Sequence, residues 1–133
     1  NRRLTHHHLD YLPIGQWQWP VKGRVAFSRL RKGVWIQARA AAIIRAVAPG
    51  IVVYSGKGIK GYGQLVLIQH SGGLFSAYGY NHAVSVKAGQ AVKRGQQLGR
   101  IGQSQYNSSS MYFEVRRGGK SLDLSGFFKR YRG

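Results

Sequence analysis

Five histidines, three acids and a run of three serines are the groups in this 133-residue chain whose types could do chemistry. The acids stand singly, as Asp10, Glu114 and Asp123. A glycosidase needs two carboxylates flanking one bond, and calcium loops or multi-aspartate magnesium sites need several oxygens close together. Widely spaced single acids exclude all of these. There is no cysteine, which removes disulfides, thiolate zinc sites and cysteine nucleophiles while leaving the compartment open. His6, His7 and His8 could hold a stray divalent ion, as any histidine run can, and read as an adventitious or structural run. His70 closes an apolar segment, and His82 follows Asn81 in what reads as a loop, facing solvent. Ser108, Ser109 and Ser110 follow Asn107 as a polar loop, with no histidine or aspartate nearby in sequence to activate a hydroxyl.

The elements that would position these groups are strands. Residues 1–18 read as a basic lead-in, and one domain is expected over 19–133. Short apolar segments alternate with glycine-centred turns, predicting strands near 24–27, 34–37, 43–48, 51–55, 64–70, 74–80, 97–102 and 111–116. Turns are predicted at Pro49-Gly50, across 56–63, at Ser71-Gly72-Gly73, across 87–89 and at Gly118-Gly119. The 19 glycines are about twice the usual share and fall between the apolar segments, as tight β-connections require. In the last predicted strand Met111, Phe113 and Val115 share one face, and Tyr112, Glu114 and Arg116 share the other. Residues 38–42 have a helical flavour from their alanines but are left as loop.

Twenty-one lysines and arginines against three acids give a formal charge of +18. Such a surface attracts nucleic acid, acidic lipid headgroups, anionic wall polymer or an acidic protein, and charge alone does not choose among them. Apolar residues at 43% argue for a folded core rather than disorder. No apolar run approaches the ~18 residues of a membrane span. The chain opens at Asn1 without a methionine, as expected of a processed form or a fragment.

The order of segments carries more information. Trp19-Pro20-Val21-Lys22-Gly23-Arg24-Val25, Lys32-Gly33-Val34 and Pro49-Gly50-Ile51-Val52-Val53-Tyr54-Ser55-Gly56 are followed by Gly61-Tyr62-Gly63-Gln64-Leu65-Val66-Leu67-Ile68-Gln69-His70. Then come Tyr78-Gly79-Tyr80-Asn81, Val86-Lys87-Ala88-Gly89-Gln90 and Tyr112-Phe113-Glu114-Val115-Arg116. This series resembles the LytM-type (lysostaphin-like, M23) peptidase domain over about residues 19–123. The resemblance implies a mainly β, compact antiparallel-sheet domain with a groove on one sheet.

Active members of that family are zinc endopeptidases that cut peptidoglycan cross-bridges, and the resemblance shows where their metal would be held. Two ligands come from a His-x-Gly-x-Asp segment, which matches Arg31 and Trp35 here. The catalytic histidine and the third ligand come from a His-x-His pair, which matches Ser110 and Tyr112. A further catalytic histidine, in a Tyr-x-His segment, matches Tyr80. Zinc takes neutral imidazole, carboxylate or thiolate, whereas arginine keeps its proton and indole only donates. The expectation is therefore no catalytic residue, no metal site, no cofactor and no enzyme activity.

Lost chemistry on a retained groove points to binding, and the same motifs resemble the EnvC-type murein hydrolase activators. That likeness implies a periplasmic Gram-negative protein at the division septum that activates zinc-dependent N-acetylmuramoyl-L-alanine amidases. It also implies a tether to a division ABC-transporter complex through an N-terminal coiled coil that this sequence lacks. The partner-binding groove would comprise Arg31, Lys32, Trp35, Tyr80, Ser110, Tyr112 and Arg116, aromatics and cations of the kind that dominate interfaces. The competing expectation is a peptidoglycan- or polyanion-binding module without an amidase partner. Nucleic acid follows from charge alone, since no nucleic-acid motif is present.

Overall fold

The computed structural model describes residues 16–28, 32–102 and 109–124. Eight strands form the larger of two antiparallel sheets. They are β1 (Arg24–Phe27), β2 (Val34–Gln37), β4 (Gly50–Gly56), β5 (Leu65–Gln69), β6 (Leu74–Gly79), β8 (Ala91–Val92), β10 (Ser110–Arg117) and β11 (Lys120–Ser121). Their order is β1-β2-β10-β6-β5-β4-β8, with β11 hairpinned onto β10. The smaller sheet runs β3 (Ile43–Arg45), β9 (Gln97–Ile101), β7 (Asn81–Val84).

The core lies beneath the large sheet, where alternate residues of its central strands meet the smaller sheet. Val34 and Ile36 of β2, Val66 and Ile68 of β5, Met111, Phe113 and Val115 of β10, and Ile44 and Leu98 of the small sheet are all buried. Each such side chain removed from water contributes about 1.5–3 kcal/mol, which makes the strand alternation the main determinant of register. In β10 the expected alternation holds, but its second face is not open to solvent: Tyr112 and Glu114 are buried as well. The reason is the connection between β4 and β5, whose Tyr62 packs over that face, with rings of Tyr62 and Tyr112 5.9 Å apart.

One junction departs from the expected strand pattern. The segment predicted as one strand over 74–80 ends at Gly79, and Asn81 already begins β7 in the other sheet. Tyr80 makes the switch alone, in the left-handed region at φ 63°. That conformation costs a non-glycine residue about 1–2 kcal/mol and persists where neighbours hold it. They do so here: Tyr80 N–H donates to Tyr62 O (2.8 Å), Asn81 N–H to Gln64 O (3.1 Å), and Asn81 Nδ2 to Tyr78 O (2.8 Å). His82 therefore stands on strand β7, exposed, rather than in a loop.

Residues just before Trp19 contact the core. Trp17 is buried in the core beside the His70 ring (4.7 Å between centroids), and Gln18 N–H donates to Val47 O.

Candidate functional site

Three neighbouring strands bring the aromatic residues together. Tyr112 in β10 stands opposite Trp35 in β2 on one side and Gly79 in β6 on the other, so all three share a face. The Trp35 ring lies 5.2 Å from Tyr112 and 5.2 Å from Tyr80, both tilted, and Tyr62 closes the cluster on the far side of Tyr112. Offset and tilted packing of this kind adds roughly 0.5–1.5 kcal/mol per pair beyond buried area. Gly79 leaves the room required: a Cβ there would stand 3.1 Å from Tyr62 O.

Burial separates the expected groove residues into two groups. Trp35 and Tyr80 are half-buried and Lys32 is exposed, so these present surface. Tyr112 is fully buried and Ser110 nearly so, and neither offers a partner much to touch. Tyr112 instead forms the floor, its hydroxyl accepting the Gly33 N–H at 3.2 Å. Gly33 must be glycine for this: a Cβ would fall 2.5 Å from both Phe113 O and the Tyr112 hydroxyl. Arg31 lies outside the described residues.

Arg116 is engaged within the domain. Its Nη1 lies 3.1 Å from Glu114 Oε2 and donates to Ser121 Oγ, while Nη2 donates to Gly119 O (2.9 Å). Residues two apart on a strand share a face, so the guanidinium neutralises the carboxylate beside it. Glu114 is held on both oxygens, by the Tyr62 hydroxyl at Oε1 (2.8 Å) and by Arg116 and the Ser121 hydroxyl at Oε2. Glu114 thus pairs with the arginine two residues along its own strand. Tyr62 was visible in sequence only as part of a Gly-Tyr-Gly turn, and nothing local marked it as the link between the aromatic floor and Glu114.

Beside Tyr80 the surface falls into a hollow of about 280 Å³ lined by Lys57, Gln64, Tyr80, Asn81, His82 and glycines. Asn81 spends its amide N–H groups on Tyr78 O and Gln64 O. Its Oδ1 is buried with no hydrogen-bond partner among the described residues, facing Gly99, where a Cβ would come within 2.5 Å.

A catalytic zinc does not fit the side chains at the family's ligand positions. The Tyr112 hydroxyl is occupied by the Gly33 amide, Trp35 offers only a donor, and the rings close on one another. Among the described residues no three histidines, cysteines or acids converge as metal ligands.

His70 lies apart from the cluster and is buried in a polar chain of its own. Nδ1–H donates to Pro49 O (2.7 Å), while Nε2 accepts from Ser76 Oγ (2.7 Å). Ser76 accepts from the Tyr78 hydroxyl, which itself accepts the Val47 N–H. Burial pushes the His70 pKa down to about 4, against a smaller upward pull from the Pro49 carbonyl, so the ring is neutral at pH 7. Burial likewise pushes the Tyr78 hydroxyl well above its ordinary value.

These features define a class: a mainly β domain of two antiparallel sheets that carries a cluster of packed aromatics on one face of the larger sheet. The chain belongs to peptidase family M23, whose model matches residues 29–124. It is similar to a lipoprotein NlpD/LppB homolog of Pseudomonas aeruginosa, at 37% identity over 88% of this chain and 41% of that protein. It is equally similar to the murein hydrolase activator NlpD of Escherichia coli K12, at 37% identity over 84% of this chain and 31% of that protein. The chain thus spans less than half the length of these curated relatives. In structure it resembles Helicobacter pylori Csd3, with a TM-score of 0.72 and 27% identity over 84% of this chain and 34% of that one. The residues had suggested activators of the EnvC type; the relatives found carry the NlpD name, within the same class of murein hydrolase activators.

Proposed function

We propose that this domain is a non-catalytic member of its family that binds a periplasmic N-acetylmuramoyl-L-alanine amidase and activates it, promoting peptidoglycan hydrolysis at the septum. The observation that carries this reading is the mutual packing of Trp35, Tyr80 and Tyr112, at positions that the resemblance assigns to two zinc ligands (Trp35 and Tyr112) and a catalytic histidine (Tyr80). The floor is rigid, because Tyr112 is anchored to Gly33 and, through Tyr62, linked to the Glu114–Arg116 pair. Above it, half-buried Trp35 and Tyr80 and exposed Lys32 offer an amphipathic surface to an acidic regulatory segment of the amidase. Activation is then a population shift: the groove binds the inhibitory segment in its displaced conformation and holds it there. The name of the Escherichia coli relative supports the activator role, and the lipoprotein name of the Pseudomonas aeruginosa relative supports a periplasmic location.

A second reading rests on the +18 charge, which suits direct attachment to anionic wall polymer. Dye release from labelled sacculi by a purified amidase, with and without this domain, separates the two. Stimulated release supports activation, whereas tight binding to sacculi with unchanged amidase rate supports the wall-binding module. Metal analysis of the purified domain together with muropeptide release checks the absence of catalysis; stoichiometric zinc with turnover would contradict it.

A further inference from the structure

A second site lies on the small sheet and shares no residue with the aromatic cluster. The segment through Gln18, Trp19, Pro20, Val21 and Lys22 runs beside β3, fixed by Gln18 N–H on Val47 O (3.1 Å) and Arg45 N–H on Pro20 O (2.8 Å). Between this strap and the turn after β2 opens a hollow of about 670 Å³. Its apolar lining includes Trp19, Val21 and Ile43, and its cations are Lys22, Arg39, Arg45 and Arg100. These four come from four separate segments, and the lining contains no acid.

Two of the arginines are preorganised. Arg45 Nη1 donates to Gly95 O (3.0 Å) and Arg100 Nη1 to Ala41 O (2.9 Å), each bond using one of five N–H groups. Ala41 itself sits at φ 65°, an uncommon conformation for alanine, pinned by Arg100 and by its own N–H on Ile101 O (3.1 Å). Strain held in place at a cleft rim is a recurrent feature of ligand sites. Four like charges in one concave surface repel one another until an anion joins them. A phosphate group suits them better than a single carboxylate, because it brings up to two charges and three acceptor oxygens matching the guanidinium fork. The volume falls within the range of small-molecule sites, with apolar wall to cover the remainder of the ligand.

We propose that this hollow binds a phosphate ester, carried by a lipid headgroup or by a soluble molecule. The site is independent of the amidase-binding reading, so either can fail without the other. The test titrates inorganic pyrophosphate by calorimetry, and vesicles of phosphatidylglycerol in phosphatidylcholine by co-sedimentation, at about 0.15 M salt to screen diffuse attraction. Lys22→Glu/Arg39→Glu alters the hollow; Lys87→Glu/Lys93→Glu makes the same charge change at exposed sites elsewhere. The expected result is a loss of about tenfold or more for the first pair and less than about threefold for the second. Arg39→Ala, which reverses no charge, is expected to weaken binding in the same direction and guards against misfolding of the double variant. Saturable binding of pyrophosphate alone supports a soluble phosphate, and binding of phosphatidylglycerol vesicles supports a lipid headgroup. Equal loss in both charge-reversal pairs, or no saturable binding of either probe by the wild type, overturns the proposal.

Discussion

The neutral, buried His70 makes the domain's stability depend on pH in a calculable way. Its ring gives and accepts one hydrogen bond at 2.7 Å each, with Trp17 packed against it and no charged partner among the described residues. Above pH 6.5 the imidazole is neutral in both folded and unfolded chains, and the stability it supports is fully present. Between 6.5 and about 4 only the unfolded chain takes up the proton, so stability falls as pH falls, levelling off once the folded ring also titrates. The distance from 6.5 to about 4, at about 1.36 kcal/mol per pH unit, amounts to roughly 3 kcal/mol. Urea denaturation at about pH 7.5 and pH 4.5 is expected to show about 2.5 kcal/mol of this. His70→Gln keeps a neutral donor and acceptor but does not titrate. It should therefore lose at least ~2 kcal/mol less than the wild type over the same range, although it begins less stable. Parallel pH profiles for the two proteins would refute the reasoning, since they would mean that His70 charges in the fold without penalty.

Other perturbations follow from the same geometry. Tyr112→Phe leaves the buried Gly33 N–H without its acceptor and is expected to cost about 1–3 kcal/mol in thermal or urea unfolding, with the fold retained by circular dichroism. Gly33→Ala forces a methyl against Phe113 O and the Tyr112 hydroxyl and should be more damaging than Tyr112→Phe; an equally stable variant would show that β2 can shift away from β10. Glu114→Ala removes the carboxylate that the Tyr62 hydroxyl, Arg116 and Ser121 all bond, and a loss of about 1–3 kcal/mol is expected, larger than that of Tyr62→Phe, which removes one bond.

Much of the fold was legible because its signals are local. Alternation in Leu65-Val66-Leu67-Ile68-Gln69 and in Met111-Tyr112-Phe113-Glu114-Val115 marks two central strands, and the glycine turns separate the elements correctly. The two-residue strands β8 and β11 carry too little pattern to be seen, and β7 was hidden because a left-handed tyrosine has no sequence signature. Trp35, Tyr80 and Tyr112 stand out in sequence through the resemblance, as replacements of two ligands and a catalytic histidine, and their rings meet in one cluster. Which of them face outward was not legible. Alternation assigns Tyr112 a face, but the Tyr62 loop that buries that face folds back from fifty residues away in sequence. The capture of Arg116 by Glu114 required only the two-residue strand period, yet an arginine on a basic surface reads first as a charge for a partner.

The central claim is that the surface above the aromatic floor contacts the amidase, and its most direct test is stimulation of dye release by variants that leave the floor intact. Trp35→Ala removes the half-buried indole, and Tyr80→Asn removes the second ring with a residue that tolerates the left-handed backbone. Loss of an interface anchor of this size is expected to reduce apparent affinity for the amidase by about tenfold or more, at least ~1.4 kcal/mol, with both variants folded by circular dichroism. Stimulation by both variants at the wild-type concentration dependence would contradict the account.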